Sequence, residues 1–397
     1  MAKLIDITGK ALSGEWGTDD ENGNGIPVLR TTNFTNEGIV NYDNVVTRTI
    51  TKKNIDEKYL RPGDIILEKS GGSDKQPVGR VIFFDGPERT YLFNNFTGLL
   101  RVKDTSKWWP RYVFYSLYAN YRRGGTREYE NKTTGLHNLK TDAYVSRYEV
   151  VEVSYARQKQ ICELLDLIVG VIRLRRQELQ ELDELIKARF VEMFGDMLIN
   201  PKGLPEKRLD SLADIVSGIT KGRKVKTDEL YEVPYMAVSN VKDGYIDWTT
   251  VKTIMATGGE IDQYRLMPGD VLMTEGGDPD KLGRGAIIYE PPKDCIHQNH
   301  IFRVRLKQDV LLPVFMAQYL QQQKSKRYFL GCAKQTTGIA SINMKQLSAL
   351  PVLVPPMKDQ EEYAAFVAQV DKSKVAVQKS LDETQVLFDA LMQKYFG

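Results

Sequence analysis

The chain of 397 residues carries the same sequence pattern twice, and this duplication limits the possible folds more than any other feature. Residues 158–195 align without a gap on residues 360–397, at a constant offset of 202, and both copies end in Phe-Gly. These two segments are also the richest in helix-forming residues. The sequence therefore predicts a globule, a long helix, a second globule and a second long helix.

Shorter motifs upstream of each helix repeat in the same order. Each half has a Pro-Gly-Asp motif before an apolar run, then a Gly-Gly pair, a Gly-Arg pair, an amide pair and a Thr-Thr-Gly motif. Five matches in one order are not expected by chance. The matching segments are 62–67 with 268–273, 71–72 with 276–277, 79–80 with 283–284, 94–95 with 298–299, and 133–135 with 336–338.

Both long segments carry an apolar stripe in alternating steps of four and three, the spacing of a coiled-coil seam. Each helix either packs on its own globule or pairs with the other helix. A helix of 38 residues is about 57 Å long, which a small globule cannot cover, so its length favours pairing. Because the connecting globule turns the chain round, the pair is expected to be antiparallel. The predicted seam positions are Ile161, Leu165, Ile168, Ile172, Arg175, Leu179, Leu182, Ile186, Arg189 and Met193, and, 202 residues later, Tyr363, Val367, Val370, Lys374, Val377, Leu381, Thr384, Phe388, Leu391 and Tyr395.

The segments outside the helices alternate short β-branched or aromatic runs with Gly and Pro, which indicates strands and turns. One helix is predicted in each globule, around 108–123 and 312–329. The fold class is therefore α+β, with curved antiparallel sheets and an internal pseudo-two-fold repeat. Predicted boundaries are 1–152 for the first globule, 153–196 for the central helix, 197–354 for the second globule and 355–397 for the C-terminal helix.

Composition and motifs argue against several protein classes. Cys162, Cys295 and Cys332 are too few and too scattered for a disulfide framework or a zinc site, which favours a reducing cytoplasm. No run approaches the ~20 apolar residues that a membrane span needs. Phosphate-loop, dinucleotide-binding and nucleophile-elbow motifs are absent from the sequence, and the two Pro-Pro pairs lack the neighbours of an amino-methyltransferase motif. We therefore expect no catalysis by this chain.

The duplicated order of motifs, followed each time by a long helix, resembles the specificity subunit of Type I restriction-modification systems. The resemblance covers the whole chain, although the first helix lacks the Pro-Pro pair found before the second at 355–356. It implies two target-recognition domains that bind the halves of a bipartite double-stranded DNA target, and two spacer helices that dock two methyltransferase subunits. Restriction subunits join in some systems. No cofactor is implied on this chain, since S-adenosylmethionine is expected on the methyltransferase partner.

Basic residues cluster at equivalent places in both halves, which favours phosphate contact over an ordinary solvated helix face. Residues 101–140 carry nine Lys or Arg against three acids, and residues 321–345 carry five against none. The Ser-Gly-Gly segment and its Glu-Gly-Gly counterpart are predicted as flexible polar loops that either contact DNA or form plain turns. The amide pairs suit the adenine edge, or turn hydrogen bonds. The Thr-Thr-Gly motifs suit phosphate, or a helix N-cap.

The predicted DNA-binding residues are drawn from these elements in both halves. In the first half they are Lys69, Ser70, Gly71, Gly72, Ser73, Lys75, Arg80, Asn94, Asn95, Arg122, Arg123, Arg127, Lys132, Thr133 and Thr134. In the second half they are Thr274, Glu275, Gly276, Gly277, Lys281, Arg284, Gln298, Asn299, Lys324, Lys326, Arg327, Lys334, Gln335, Thr336 and Thr337.

Two other functional classes compete with a DNA-recognition subunit. A metal-dependent nuclease would use carboxylates such as Asp64 and Glu68, but Met273-Thr274 is aligned where Glu68-Lys69 stand, which favours a structural role. A coiled-coil scaffold without a DNA role would show no DNA binding at all. The three histidines, His137, His297 and His300, have no matched acidic ligand, so no metal site is expected.

Overall fold

The computed structural model describes residues 1–53, 55–133, 136–225, 229–278, 282–336 and 339–397. It divides into two compact units. Unit 1 comprises Met1–Arg176 and Lys379–Gly397, and unit 2 comprises Gln177–Gln378. Of the helices in the described ranges, none combines the length and apolar character needed to cross a membrane.

Unit 1 contains thirteen of the strands in the described residues and the start of a long helix. Its strands are β1 (Ala2–Lys3), β2 (Leu12–Ser13), β3 (Thr18–Asp19), β4 (Ile26–Leu29), β5 (Val46–Thr49), β6 (Ile65–Glu68), β7 (Ser70–Gly72), β8 (Val81–Phe83), β9 (Leu92–Phe93), β10 (Thr97–Leu100), β11 (Glu130–Thr133), β12 (Leu136–Leu139) and β13 (Glu149–Val150). Its helices are α1 (Leu4–Thr8), α2 (Pro110–Arg122), α3 (Thr141–Arg147) and the first part of α4 (Tyr155–Phe194).

Unit 2 holds the remaining elements. Its strands are β14 (Glu206–Arg208), β15 (Ala213–Ser217), β16 (Tyr231–Met236), β17 (Lys252–Ala256), β18 (Val271–Thr274), β19 (Gly276–Gly277), β20 (Gly285–Ile287), β21 (Ile296–His297), β22 (Ile301–Leu306), β23 (Lys334–Thr336), β24 (Ile339–Ser341) and β25 (Pro351–Leu353). Its helices are the last part of α4, α5 (Leu209–Leu212), α6 (Gly258–Tyr264), α7 (Pro313–Leu320), α8 (Gln323–Cys332), α9 (Met344–Ser348) and the first part of α10 (Met357–Phe396). The last part of α10 belongs to unit 1.

The duplication seen in the sequence extends to the sheet topology. Unit 1 has sheets with the orders β2-β10-β6-β8, β3-β5-β4-β9 and β11-β12-β7, together with the pair β1-β13. Unit 2 repeats them as β15-β22-β18-β20, β17-β16-β21, β19-β24-β23 and β14-β25. The two halves of the chain are therefore two copies of one fold, with β3 as an addition in unit 1.

The prediction of antiparallel sheets is wrong at one equivalent place in each unit. β4 pairs with β9 in parallel, and β16 pairs with β21 in parallel. The second predicted helix also differs, because 312–329 forms two helices, α7 and α8, rather than one. The other registered pairs of these sheets are antiparallel.

The central strand of each main sheet is buried on both faces. In β6, Ile65 and Leu67 belong to the core that contains the long helices, while Ile66 faces a second apolar cluster. Because alternate side chains of a strand point to opposite faces, β6 separates two cores. β18 does the same in unit 2, with Val271 and Met273 on one face and Leu272 on the other.

The predicted helix stripe is buried along its length. All of the predicted seam positions in α4 and α10 are buried or partly buried. In unit 1, the guanidinium of Arg157 lies 5.7 Å from the ring centroid of Tyr395. In unit 2, Asp183 pairs with Lys374 at 2.6 Å and Arg189 with Glu362 at 2.7 Å. Higher numbers on α4 meet lower numbers on α10, so the helix segments within unit 2 run antiparallel.

A buried glutamine fixes the start of each long helix. Gln158 accepts a hydrogen bond from the Trp109 N–H at 2.8 Å and donates to the carbonyls of Lys107 and Val153. Gln360, 202 residues later, has 0% exposure and binds its own globule with the same three-bond pattern. Helix and globule are therefore joined by polar contacts as well as by apolar packing.

Candidate nucleic-acid interface

The predicted Ser-Gly-Gly loop of unit 1 is a strand, so that part of the prediction is wrong. β7 pairs with β12, with His137 opposite Gly72 and Asn138 opposite Ser70. Gly71 has a φ of +127°, which favours glycine. A Cβ on Gly72 would lie 2.5 Å from the Val78 nitrogen. The glycines therefore serve this close pairing.

The Glu-Gly-Gly segment of unit 2 is built in the same way. β19 pairs with β24, which places Gly276 opposite Ser341 and Gly277 opposite Ala340. Glu275 precedes this strand, and its carboxylate lies 2.6 Å from the Nδ1 of exposed His300. In both units the Gly-Gly strand joins the two strands on either side of the Thr-Thr-Gly motif in one three-stranded sheet, β11-β12-β7 in unit 1 and β19-β24-β23 in unit 2. Two of the predicted DNA-binding elements are therefore neighbours.

Some of the predicted residues are described only in part or not at all. Thr134, Lys281 and Thr337 lie outside the described residues. For Lys132, Thr133, Gln335 and Thr336 the described part is the backbone, which belongs to β11 and β23.

A basic groove lies beside the hairpin of unit 1. Ser73 and Gln76 form a turn, since the Ser73 N–H donates to the Gln76 carbonyl at 2.7 Å. The groove is lined by Asn36, Lys75, Gln76, Pro77, Tyr121, Arg122, Arg123, Gly124 and Arg127. Lys75 and Arg127 are exposed and have no ion pair within the described residues. We call this set of residues the basic groove.

Arg122 and Arg123 also hold the C-terminal helix. Arg122 pairs with Asp389 at 2.6 Å, and Arg123 donates to the Phe396 carbonyl at 2.5 Å. Arg122 also lies 5.7 Å from the ring centroid of Phe388. Both arginines therefore stabilise the packing of α10 in unit 1, and their contact with phosphate stays a prediction.

The basic residues of unit 2 lie on α8 and β23. Lys324 pairs with Glu206 at 2.7 Å. Arg327 and Lys334 are exposed and Lys326 is half-buried, and none of the three has an acidic partner in the part of the chain that the structure describes. These three cations are the ones most available to phosphate in this unit.

Lys69 lies where the main sheet of unit 1 meets the hairpin sheet. It is half-buried, and its Nζ donates to the Ser13 hydroxyl at 2.9 Å. Burial lowers the pKa of Lys69, and the nearby charge of Lys58 adds to the effect. The backbone of Lys69 accepts from the Leu139 N–H of β12 at 2.8 Å. This residue is therefore fixed in place beside the hairpin.

The amide pairs occupy turns at the ends of β9 and β21. Asn94 is buried, and its carbonyl accepts from the N–H and the hydroxyl of Thr97. Asn95 is exposed. The side chain of Gln298 accepts from the Val238 N–H at 3.4 Å, and the carbonyl of Asn299 accepts from the Ser217 hydroxyl at 2.6 Å. The side-chain bond of Gln298 favours the turn interpretation for that residue. The Oδ1 of Asn94 is buried with no hydrogen-bond partner among the described residues, and Asn95 is open to solvent.

In unit 1 the guanidinium of Arg80 donates its hydrogen bonds to acceptors within the protein. Nε and Nη2 donate to the carboxylate of Glu68 at 3.2 and 2.8 Å. Nη1 and Nη2 donate to the carbonyls of Phe34 and Thr31, each at 3.2 Å. Glu68 is 1% exposed. A DNA contact by Arg80 would break these bonds, so the geometry favours a structural role.

The counterparts of Glu68 and Arg80 in unit 2 are Thr274 and Arg284. The Thr274 N–H donates to the Arg284 carbonyl at 3.2 Å, as the Glu68 N–H donates to the Arg80 carbonyl at 2.8 Å. This pairing agrees with the match of 62–67 to 268–273, whereas the comparison of Glu68-Lys69 with Met273-Thr274 is displaced by one residue. Unit 1 has one additional residue between β6 and its Gly-Gly pair, and this residue is Ser70.

Two further arginines were not among the predicted functional residues, and both are structural. Arg101 binds Asp64 with two bonds of 2.7 Å, and Arg305 binds Asp270 with bonds of 2.8 and 2.9 Å. The sequence signal for these two ion pairs was the repeated Pro-Gly-Asp motif, which contains Asp64 and Asp270. The exposed ring of Phe96, in the turn beside Asn95, was also missed, because a single exposed aromatic residue has no sequence signature.

The comparisons with known proteins agree with this architecture. A family profile described as the Type I restriction modification DNA specificity domain matches residues 201–384. The specificity subunit of the Type I restriction enzyme EcoKI from Escherichia coli K12 is 23% identical over 399 residues, covering 94% of this chain and 82% of that protein. The StySPI specificity subunit from Salmonella potsdam is 22% identical, covering 93% and 80%. The chain is thus similar to Type I restriction enzyme specificity subunits over nearly its whole length, and the family profile matches its second half.

Two solved structures share the fold of this chain. The specificity subunit from M. genitalium aligns over 100% of this chain and 95% of its own length, with a TM-score of 0.54 and 14% identity. A chain from a study of complex assembly and conformational transition of the type I R-M system aligns over 100% and 96%, with a TM-score of 0.57 and 17% identity.

Proposed function

We propose that this chain is the non-catalytic DNA-recognition subunit of a Type I restriction-modification enzyme, and that each unit binds one half of a bipartite DNA target. The observation that carries the proposal is one fold present twice with different side chains at equivalent positions. Lys69 in unit 1 corresponds to Glu275 in unit 2, and Glu68 corresponds to Thr274. A repeated scaffold with divergent polar residues suits the recognition of two different half-sites.

Partner subunits supply the chemistry in this proposal. Two methyltransferase subunits, which bind S-adenosylmethionine, dock on the surfaces of α4 and α10, and restriction subunits join where the system includes them. Several apolar side chains on these helices are exposed, among them Leu167 at 66% and Val386 at 69%. Exposed apolar positions on a helix indicate an interaction surface.

A nuclease function is disfavoured because its two candidate carboxylates are buried and paired with arginines. Asp64 is held by Arg101, and Glu68 by Arg80, and both carboxylates are buried. A carboxylate bound on both oxygens by a guanidinium is not free to ligate a metal ion.

The test is methylation mapping of DNA exposed to this chain together with the methyltransferase encoded beside it. We expect one methylated sequence made of two defined half-sites separated by a fixed number of undefined base pairs. The lone chain is expected neither to methylate nor to cut DNA. Mg²⁺-dependent cutting by the lone chain would support the nuclease instead, and a complex without any DNA binding would support a scaffold.

A further inference from the structure

Arg284 differs from Arg80, its counterpart in unit 1, because its side chain has no partner among the described residues. Its Nε is buried without a hydrogen-bond acceptor, and no ion pair or hydrogen bond of its side chain is found within the described residues. Thr274 stands where unit 1 has Glu68, and its Oγ1 is likewise buried without a partner. Buried polar groups without partners are rare in folded proteins and need an explanation.

The nearest acid along the strand does not replace Glu68. Glu275 follows Thr274 directly, but its carboxylate binds His300 at 2.6 Å. The backbone of Arg284 is fixed, because its carbonyl accepts from the Thr274 N–H and the next residue begins β20. The buried Nε shows that the side-chain stem is packed, so the terminal nitrogens Nη1 and Nη2 are the part of the guanidinium that is open to a ligand.

We infer that Arg284 recognises a guanine in the DNA half-site bound by unit 2, with Nη1 and Nη2 donating to its O6 and N7 atoms. This inference rests on the proposed function. Two donors at the end of a fixed stem match two acceptors on one base edge, and arginine on guanine is the commonest specific contact of this kind. In unit 1 the same position cannot do this, because Glu68 and two carbonyls already hold Arg80.

The experiment uses the complete complex of this chain with its methyltransferase subunits. Binding is measured against the parent target and against DNA carrying single substitutions in each half-site. In the parent complex, replacing one guanine of the unit 2 half-site should weaken binding about 5- to 150-fold. With Arg284→Ala that discrimination should be lost, while every preference in the other half-site stays unchanged.

A second variant guards against a folding defect. Thr274→Glu places a carboxylate where unit 1 has Glu68, so it should engage Arg284 and remove the same guanine preference without lowering the Tm of the complex. Arg89→Ala is the control, because the ion pair of Arg89 with Asp56 is exposed on both sides, and it should leave base preferences unchanged in both half-sites. If Arg284→Ala retains every base preference of the parent, the inference is overturned.

Two other outcomes are also decisive. A uniform loss of affinity with Arg284→Ala across all sequences, with a weaker salt dependence, would assign Arg284 to phosphate and overturn base recognition. A parent complex with no sequence preference would overturn the proposed function itself. The two failures can be told apart. If the parent complex prefers certain bases and Arg284→Ala leaves that preference unchanged, only the assignment of Arg284 is overturned.

Discussion

The carboxylate of Asp64 holds the guanidinium of Arg101 through two hydrogen bonds of 2.7 Å, from Nε and from Nη2. The same carboxylate accepts from the Arg61 N–H at 2.8 Å, and thereby closes the turn that precedes β6. Asp270 repeats both interactions in unit 2, with Arg305 and with the Met267 N–H. The Pro-Gly-Asp motif thus starts the central strand of each main sheet.

Replacing Asp64 with Asn should destabilise unit 1 by about 2–3 kcal/mol, because the Arg101 charge, which is 29% exposed, would lose its partner. Asp270→Asn should do the same to unit 2. Denaturant unfolding followed by circular dichroism measures both losses. Asp56→Asn is the control, since its pair with Arg89 is exposed on both sides and should contribute less than about 1 kcal/mol. Equal effects from Asp56 and Asp64 would show that burial does not strengthen this pair.

The stability of unit 2 should fall as the pH falls from about 6.5 to 4. Burial lowers the pKa of His297 to about 4, and its Nε2 has no hydrogen-bond partner within the described residues. Between these values the unfolded chain binds a proton that the folded chain does not, so acid favours unfolding. The loss reaches about 3 kcal/mol near pH 4. It is measured by denaturant unfolding at a series of pH values.

The control for this prediction comes from the repeat itself. Phe93 of unit 1 occupies the place of His297. Phe93 lies opposite Leu29 in the parallel pair β4-β9, and His297 lies opposite Met236 in the parallel pair β16-β21. His297→Phe should therefore fold and lose this part of the pH dependence, whereas His300→Gln should keep it. A His297→Phe variant with the pH dependence of the parent would assign the effect to other groups.

The sequence predicted the repeat, the two long helices and their buried stripe, because these depend on local periodicity and on alignment of the chain with itself. The equivalence of Gln158 and Gln360 follows from the constant offset of 202. The sequence did not predict that Ser70–Gly72 is a strand, because the partner strand β12 lies far along the chain. Parallel pairing of β4 with β9 was missed for the same reason.

The candidate site was predicted less well than the fold. Arg80 and Arg284 are identical in the sequence pattern, and both were expected to bind DNA. Their difference arises from Glu68 and from two backbone carbonyls that only the folded chain brings to Arg80. Hydrogen-bond partners that are distant in sequence decide whether a cation is free, and composition does not report them.

Lys75→Ala combined with Arg127→Ala should weaken DNA binding by the complex to a similar degree for all sequences. The two cations line the basic groove and have no ion pair in the part of the chain that the structure describes, so their loss should lower the salt dependence by about two phosphate contacts. Titrations at several salt concentrations measure this slope. Arg122→Ala with Arg123→Ala should weaken binding too, but should also lower stability, because both arginines hold α10. An unchanged slope in the Lys75 and Arg127 variant would place the basic groove away from DNA.

The length of the two long helices should set the spacing between the half-sites. Each helix has 40 residues, so each is about 60 Å long. Removing one heptad from both, residues 173–179 and 375–381, keeps the stripe in phase and shortens each helix by about 10 Å, which corresponds to about three base pairs. Three base pairs also rotate one half-site by roughly a hundred degrees about the duplex axis, and DNA this short is costly to deform.

The expected result of this deletion is unchanged half-site sequences with a new spacing, or loss of activity, as measured by methylation mapping beside the parent complex. The half-sites should not change, because the deletion leaves both globules intact. A control that replaces each of these two heptads with another seven-residue heptad should keep the original spacing. Full activity of the deletion variant at the original spacing would show that the helices do not determine the distance between the two recognised sequences.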